Sequence, residues 1–265
     1  MIIHQVTSLD LPELEPYRTL RRPLEHQRQR IFVAEGEKVV RRLLGAQLDI
    51  VSILLTPRWF EALPLQQAKE VAIYVCEKDL MEQIVGYRLH QGVMAVAKIP
   101  PERSLDEILA ASAGDYLLVA LDGIVSAENV GLIVRNCAAF NVNAILVGET
   151  SSDPFLRRAV RNSMGGIFQM PAFRSTDLAN TLTELRARNT NVVAADPSGD
   201  MLISESLLTG KLCLVFGNEG TGISANVLAA CASQVQIPMF NRTDSLNVAN
   251  ASAVFLYEAA RQRAR

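Results

Sequence analysis

The chain has 265 residues, with 49% apolar and 20% charged side chains and a formal net charge of −2. That size points to two domains of unequal size, and the composition excludes a disordered chain. No apolar run of about 18 residues occurs, which excludes an ordinary transmembrane helix, and the stretch Met1–Pro16 carries Asp10, Glu13 and Glu15 with no basic residue, unlike a secretory or transit peptide.

The four cysteines, Cys76, Cys137, Cys213 and Cys231, are widely spaced, form no CxxC and sit in apolar stretches. This predicts buried free thiols in a reducing, cytoplasmic setting. Only His4, His26 and His90 are available as imidazole ligands, so no metal site is predicted. The near-neutral charge hides an uneven distribution. Residues 18–42 hold eight basic and three acidic side chains, a local balance of +5. Basic residues are mostly arginine, 21 of 26, and the guanidinium fork suits phosphate and carboxylate alike. On charge alone, this stretch is either a solvated helix face or a phosphate-binding surface.

In chain order, short β-branched runs alternate with helical patterns before Pro100-Pro101. The expected strands are Arg30–Ala34, Ile50–Leu55, Val71–Val75 and Gly92–Lys98, and the helices Glu37–Leu44, Phe60–Lys69 and Lys78–Val85. They predict a small α/β domain over residues 1–100. A short helix, Leu105–Ala111, opens a second domain over 101–265. Its predicted strands are Tyr116–Leu121, Ala144–Val147, Asn191–Ala195, Leu212–Phe216 and Gln234–Ile237. Helices Glu128–Phe140, Pro154–Ser163, Thr176–Arg188 and Ala225–Cys231 separate them. Continuous apolar strands alternating with helices predict a parallel sheet covered on both faces. The last helix, Leu246–Arg263, is small or apolar most of the way round, which fits a subunit interface or burial within one chain.

Ligands of parallel α/β sheets bind beyond the C-terminal ends of strands. Three such ends are polar and glycine-bearing. The first, Asp122–Asn136, offers Ser126 as a helix cap and places Arg135 outside the apolar arc of Val130, Ile133, Val134, Cys137 and Phe140. The second, Gly217-Asn218-Glu219-Gly220-Thr221-Gly222, has three glycines in six residues and a charged Glu219 where the chain leaves the sheet. Its spacing is not GxGxxG, and no GxxxxGK[ST] occurs, so neither a dehydrogenase nor a P-loop enzyme is supported. The third, Ile237–Ala249, follows a strand with a polar loop whose Ser245 or Asn247 opens the final helix.

In this order the three segments resemble the signature motifs of the SpoU family, the 2′-O-ribose RNA methyltransferases of the SPOUT superfamily. The matching residues are Asn129-Val130-Gly131 with Arg135, Gly217-Asn218-Glu219-Gly220 with Gly222, and Ile237-Pro238-Met239 with Ser245-Leu246-Asn247-Val248. The stretch Asp153-Pro154…Arg157-Arg158…Arg161…Ser163-Met164-Gly165 is also similar, and the likeness spans roughly 116–262. Many relatives carry Asp-Pro just before the asparagine, where this chain has Ser126-Ala127-Glu128. Residues 18–99, through Arg30–Gly36 and His90–Ala95, resemble the small substrate-binding α/β domain that often precedes the catalytic one and is related to RNA-binding ribosomal proteins.

The resemblance implies a parallel-sheet SPOUT fold with a C-terminal trefoil knot, S-adenosylmethionine as cofactor, and methyl transfer to a ribose 2′-OH. The implied substrate is structured RNA, ribosomal in preference to transfer RNA, and the implied assembly is a homodimer. A non-catalytic RNA-binding protein is the other alternative, against which the intact motif residues speak. The implied catalytic group is Asn129, Arg135, Glu219, Ser245 and Asn247. Gly217, Ile237, Met239 and Leu246 are the implied cofactor-binding residues, and Arg30, Lys38, Arg157, Arg158 and Arg161 the implied RNA contacts. No metal and no membrane contact are implied.

Overall fold

The computed structural model describes residues 2–8, 10–67, 70–88, 91–112, 114–241 and 244–264. Lys69, His90, Arg242 and Thr243, which fall within expected elements or motifs, lie outside them. The chain forms two units. One comprises the chain through Pro101 together with Phe155–Phe168, and the other Glu102–Pro154 with Gln169–Arg265. Residues 155–168, expected within the second domain, therefore belong to the first unit. The reason lies in packing: the segment's apolar Ala159, Val160 and Ile167 are buried, and the Phe155 and Phe168 rings meet Phe32 at a tilt, 5.3 and 5.6 Å between centroids.

The first unit is built on strands β1 (Ile2–Gln5), β2 (Ile31–Glu35), β3 (Ile50–Leu55), β4 (Ala72–Val75) and β5 (Val93–Lys98), in the order β1-β4-β3-β5-β2. β1, β4 and β3 run parallel, while β5 is antiparallel to both its neighbours. Its helices are α1 (Glu15–Arg18), α2 (Pro23–Arg28), α3 (Glu37–Leu44), α4 (Pro57–Ala62) and α5 (Lys78–Val85). The short α1 and α2 and the edge strand β1 were not expected: each has four to six residues, too few for a period to show. The helix expected at Phe60–Lys69 instead runs from Pro57, the proline pre-setting its first turn, and stops before Leu63-Pro64.

The second unit has a wholly parallel seven-stranded sheet, order β10-β12-β9-β11-β6-β7-β8. Its strands are β6 (Leu117–Asp122), β7 (Ala144–Val147), β8 (Ala172–Arg174), β9 (Asn191–Ala195), β10 (Met201–Leu202), β11 (Leu212–Gly217) and β12 (Ser233–Gln236). The helices are α6 (Leu105–Ala111), α7 (Ala127–Ala139), α9 (Leu178–Ala187), α10 (Ala225–Ala230) and α11 (Val248–Arg263); α8 (Arg157–Asn162) is the one that packs in the first unit. Central β6 and β11 are buried on both faces, as their unbroken apolar runs require. One layer joins Leu178, Leu182 and Leu185 of α9 to Leu118, Val192, Cys213 and Val215 of the sheet. On α11, Phe255 meets Phe216 of β11 edge-on at 5.8 Å. No helix is long and apolar enough to cross a membrane among the described residues.

Candidate functional site

Of the three polar strand ends, those after β11 and β12 line one cavity in the second unit, and the segment after β6 joins them through Asn129. β12, β9 and β11 are neighbours in the sheet, so their C-terminal ends open onto one cavity of about 430 Å³. That volume suits a cofactor-sized ligand, about 300–1,000 Å³ being usual. The expected cofactor residues Gly217, Ile237, Met239 and Leu246 all line it, beside Glu219, Ser245 and Asn247 of the expected catalytic group. Its floor is Phe216, Val235 and Phe255.

The loop after β11 is held by its own side chains. Asn218 Oδ1 accepts from the backbone N–H of Gly220 and Thr221 at 2.8 and 3.0 Å, and its Nδ2 donates to the carbonyl of Gly123 at 2.7 Å. Backbone bonds between Asn218 and Gly222 close the turn, and Gly222 at φ +73° supplies the left-handed residue it needs. A Cβ on Gly217 would collide with the backbone of Gly222 and Ile223, so the loop can fold back on the strand only with glycine there. Asp122, at the end of β6, accepts from the backbone N–H of Ser224 at 2.6 Å and fixes the loop's exit.

At the rim three side chains form a chain of hydrogen bonds. Asn129 on the first turn of α7 donates through Nδ2 to Glu219 Oε1. Asn247 donates through Nδ2 to Asn129 Oδ1 at 3.2 Å and, through its own Oδ1, caps α11 at Ala249 N–H at 2.9 Å. Capping is thus one of two duties of Asn247, and it aims the amide. Ser126 caps α7 by accepting from Asn129 N–H at 3.3 Å. Two helical turns on, Asn136 shares the face of Asn129 and donates to Ala249 carbonyl and Ser252 Oγ at 2.8 and 2.9 Å, locking α7 to α11.

Arg135 is not brought into this group. It stands one residue, about 100° of helix rotation, from Asn136. It is exposed, makes no hydrogen bond or ion pair among the described residues, and does not line the cavity. Ser245 is likewise exposed at the rim without a partner among the described residues.

Two acidic residues of the cavity were not singled out from the sequence. Asp196 follows β9, its Oδ1 held by Ser198 N–H and Oγ at 2.8 and 2.7 Å, which leaves Oδ2 without a partner among the described residues. Asp244 also lines the cavity. The signal for Asp196 was present: it is the first polar residue after the apolar run of β9, at a strand's C-terminal end. The charged groups lining the cavity are Asp196, Glu219 and Asp244, with no lysine or arginine among the described residues. No group of three potential metal ligands occurs among the described residues.

The expected RNA contacts lie in the first unit. Arg157 is largely buried, bonded to Glu35 and to Tyr87 Oη at 3.0 Å, with its guanidinium 5.2 Å from the Tyr87 ring. It is spent on structure rather than presented to solvent. Arg161 reaches the other oxygen of Glu35 at 3.1 Å but stays half-exposed. Arg30 donates to the Pro100 carbonyl at 3.1 Å, and Lys38 and Arg158 are exposed.

A doubly covered parallel sheet with a polar ligand cavity across three adjacent strand ends defines an α/β protein built around a bound cofactor. The chain belongs to the SpoU rRNA Methylase family, whose model matches residues 116–257, and is an RNA methyltransferase of that type. A Mycobacterium bovis protein described as an uncharacterized tRNA/rRNA methyltransferase is 33% identical, the match covering 98% of this chain and 92% of that protein. An AdoMet-bound rRNA methyltransferase from Sinorhizobium meliloti superposes with a TM-score of 0.85, at 26% identity over 98% of each chain. A solved RNA 2′-O ribose methyltransferase gives a TM-score of 0.78 at 27% identity, covering 99% of this chain and all of that one.

Proposed function

We propose that the protein transfers a methyl group from S-adenosylmethionine to a ribose 2′-OH of structured RNA, ribosomal in preference to transfer RNA. The observation that carries this is the Glu219–Asn129–Asn247 chain at the rim of a cavity lined by the expected cofactor residues. The cavity suits the cofactor in size and in charge: the carboxylates of Asp196, Glu219 and Asp244 favour a sulfonium. Gly217, Ile237, Met239 and Leu246 would hold it. When bound, it supplies an electrophilic methyl group. The 2′-O target is supported by the likeness to the solved 2′-O ribose enzyme, and the ribosomal target by the family's description and by the basic 18–42 stretch.

The chain's residues have three tasks in this reading. Asn129, fixed at both ends of its amide, orients Asn247 and Glu219 at the rim. Ser245 and Asn247 bind the reacting ribose. Arg135 binds the ribose and its phosphate with a planar fork and lowers the hydroxyl's hold on its proton; a guanidinium is a poor base unaided. Because Arg135 stands outside the cavity of its own chain, a second copy brings it to the site. Asn129 meets Glu219 within its own chain, and in this reading Arg135 is the residue that the second copy contributes. The C-terminal trefoil knot and the division into an RNA-binding and a catalytic domain belong to the same reading. Incubating the protein with labelled S-adenosylmethionine and RNA from a strain lacking its gene, followed by mapping of alkali-resistant ribose linkages, tests it. Label on a base, or none on RNA, overturns it.

A further inference from the structure

We propose that the first unit carries a separate pocket for one unpaired RNA nucleotide, closed by Lys38, Arg161 and Gln91. The proposal rests on the reading of the protein as an RNA methyltransferase and gives its substrate a second point of attachment. The pocket, about 210 Å³, lies where β2 ends at Glu35, α3 begins after Gly36, and β5 begins after Gln91-Gly92. Arg161 and Met164 close it from the α8 segment. It is smaller than the usual small-molecule site.

Its polar groups are donors. Glu35 is the carboxylate lining it, and both oxygens are taken by Arg157 and Arg161. Two guanidiniums on one carboxylate leave a positive excess, to which Lys38 adds; Glu37 beside it is paired with Arg41. Gln91 Oε1 accepts from Glu37 N–H at 2.6 Å, which fixes the amide and leaves Nε2 as a donor without a partner among the described residues. Gly36 opens α3 and has no side chain to cap it, so of the first-turn N–H groups the Gln91 amide meets that of Glu37. Such an array calls for a ligand rich in acceptors: a phosphate, and base carbonyls. Val39, Val93 and Met164 give the apolar walls on which a base can lie. Gln91 Nε2 can reach a base edge only where that edge is not paired, and RNA is read mostly at such positions. Donors alone favour uracil, with two carbonyls, over adenine.

The chain has a built-in reporter. Trp59 is its one tryptophan, and its indole Nε1 donates to the carbonyl of Gln91 at the pocket's wall. Full-length ¹⁵N-labelled protein therefore gives a single indole N–H resonance that reads this pocket. Titration with UMP should move that resonance, with AMP, uridine and inorganic phosphate each at least about fivefold weaker. Lys38→Ala, at an exposed position, and Gln91→Glu, which keeps the acceptor but loses the donor, should each weaken UMP at least tenfold. S-adenosylmethionine should leave the resonance in place. An unmoved resonance in a protein that methylates RNA overturns the pocket and spares the enzyme reading. A UMP shift in a protein that neither binds S-adenosylmethionine nor methylates RNA keeps the pocket and sinks that reading. Phosphate acting as well as UMP marks an anion site only and overturns the nucleotide.

Discussion

Asn129 donates to Glu219 and accepts from Asn247, which fixes its amide and suits it to positioning other groups. Replacing it with alanine should lower kcat about 100-fold, the scale of a misplaced reacting group, while the S-adenosylmethionine Kd changes less than about threefold. An equal loss in both would make Asn129 a binding residue. Arg135 makes the opposite case, being unspent. Arg135→Ala should abolish methyl transfer with cofactor binding nearly intact, and Arg135→Lys should not restore it, since a point charge lacks the fork. Turnover by the alanine variant near the wild-type rate would remove Arg135 from the mechanism. Asp196 lines the cavity and keeps one oxygen without a partner among the described residues. Asp196→Asn should weaken S-adenosylmethionine, which carries the sulfonium, up to about fivefold more than the uncharged thioether product, the modest size befitting a partly exposed charge. Equal weakening of both ligands, measured by calorimetry, would assign Asp196 to shape rather than charge.

At the scale of elements, how far the sequence could be read depended on element length and on the reach of contacts. The strands of the second sheet announce themselves because burial on both faces leaves no polar interruption in β6, β7 or β11. The rim residues were visible as motifs, but nothing in their spacing told that Asn129 meets Glu219, 90 positions away, or that Arg135 does not. Two-residue β10 and three-residue β8 were invisible for want of a period. The α8 segment was assigned by its place in the sequence, whereas Phe32 and Glu35 draw it to the first unit. That changes what a truncation does. Removing residues 1–101 strips the cover from Ala159, Val160 and Ile167, so the remaining chain should bind a hydrophobic dye and be cleaved by protease within 155–168. A truncated chain as protease-resistant as the full one would mean that the segment holds its place alone. The short helix α2 carries a pH dependence. Burial holds the His26 imidazole, 3.0 Å from Thr19 Oγ1, below its ordinary value of 6.5, outweighing the hydrogen bond to the Pro16 backbone and the Glu25 charge that pull the other way, while the Arg157 charge pushes with burial. The folded state therefore resists a proton that the unfolded chain accepts, and stability present above pH 6.5 is lost as the pH falls below it. Tm measured from pH 7.5 to 5 should fall in the wild type and change less in His26→Gln; parallel curves would place the dependence elsewhere.

For the whole molecule, the role proposed for Arg135 needs a second copy of the chain, because Arg135 does not line the cavity of its own. Helix α11 is the surface proposed for that pairing. Its buried residues Ala249, Ser252, Phe255, Leu256 and Ala259 face the sheet and α7, and the expected lack of a polar face holds only in part, since Asn250, Val254, Tyr257 and Arg261 form an exposed stripe at helical spacing. Val254 is 37% and Tyr257 59% exposed, and the Tyr257 ring meets Phe140, just past the end of α7, edge-on at 6.5 Å. Apolar side chains standing in a row on the helix that packs beside the Arg135 helix suit a second copy of this chain, whose pairing would bring Arg135 to a neighbouring cavity. Ala253 and Ala260 of the same helix are partly covered, so a charge there would also strain the fold. Val254→Asp and Tyr257→Asp are the cleaner tests. Each should convert a dimer into a monomer in sedimentation at micromolar concentration, keep Tm within a few degrees, and lose methyl transfer about as completely as Arg135→Ala. Mixing the Arg135→Ala protein with an Asn247→Ala protein should then restore activity, because a mixed dimer holds one cavity with intact Asn247 facing an intact Arg135 from the other subunit. A wild-type monomer with full activity, or no recovery on mixing proteins shown to exchange subunits, would place Arg135 at the site of its own chain and return the stripe to ordinary surface.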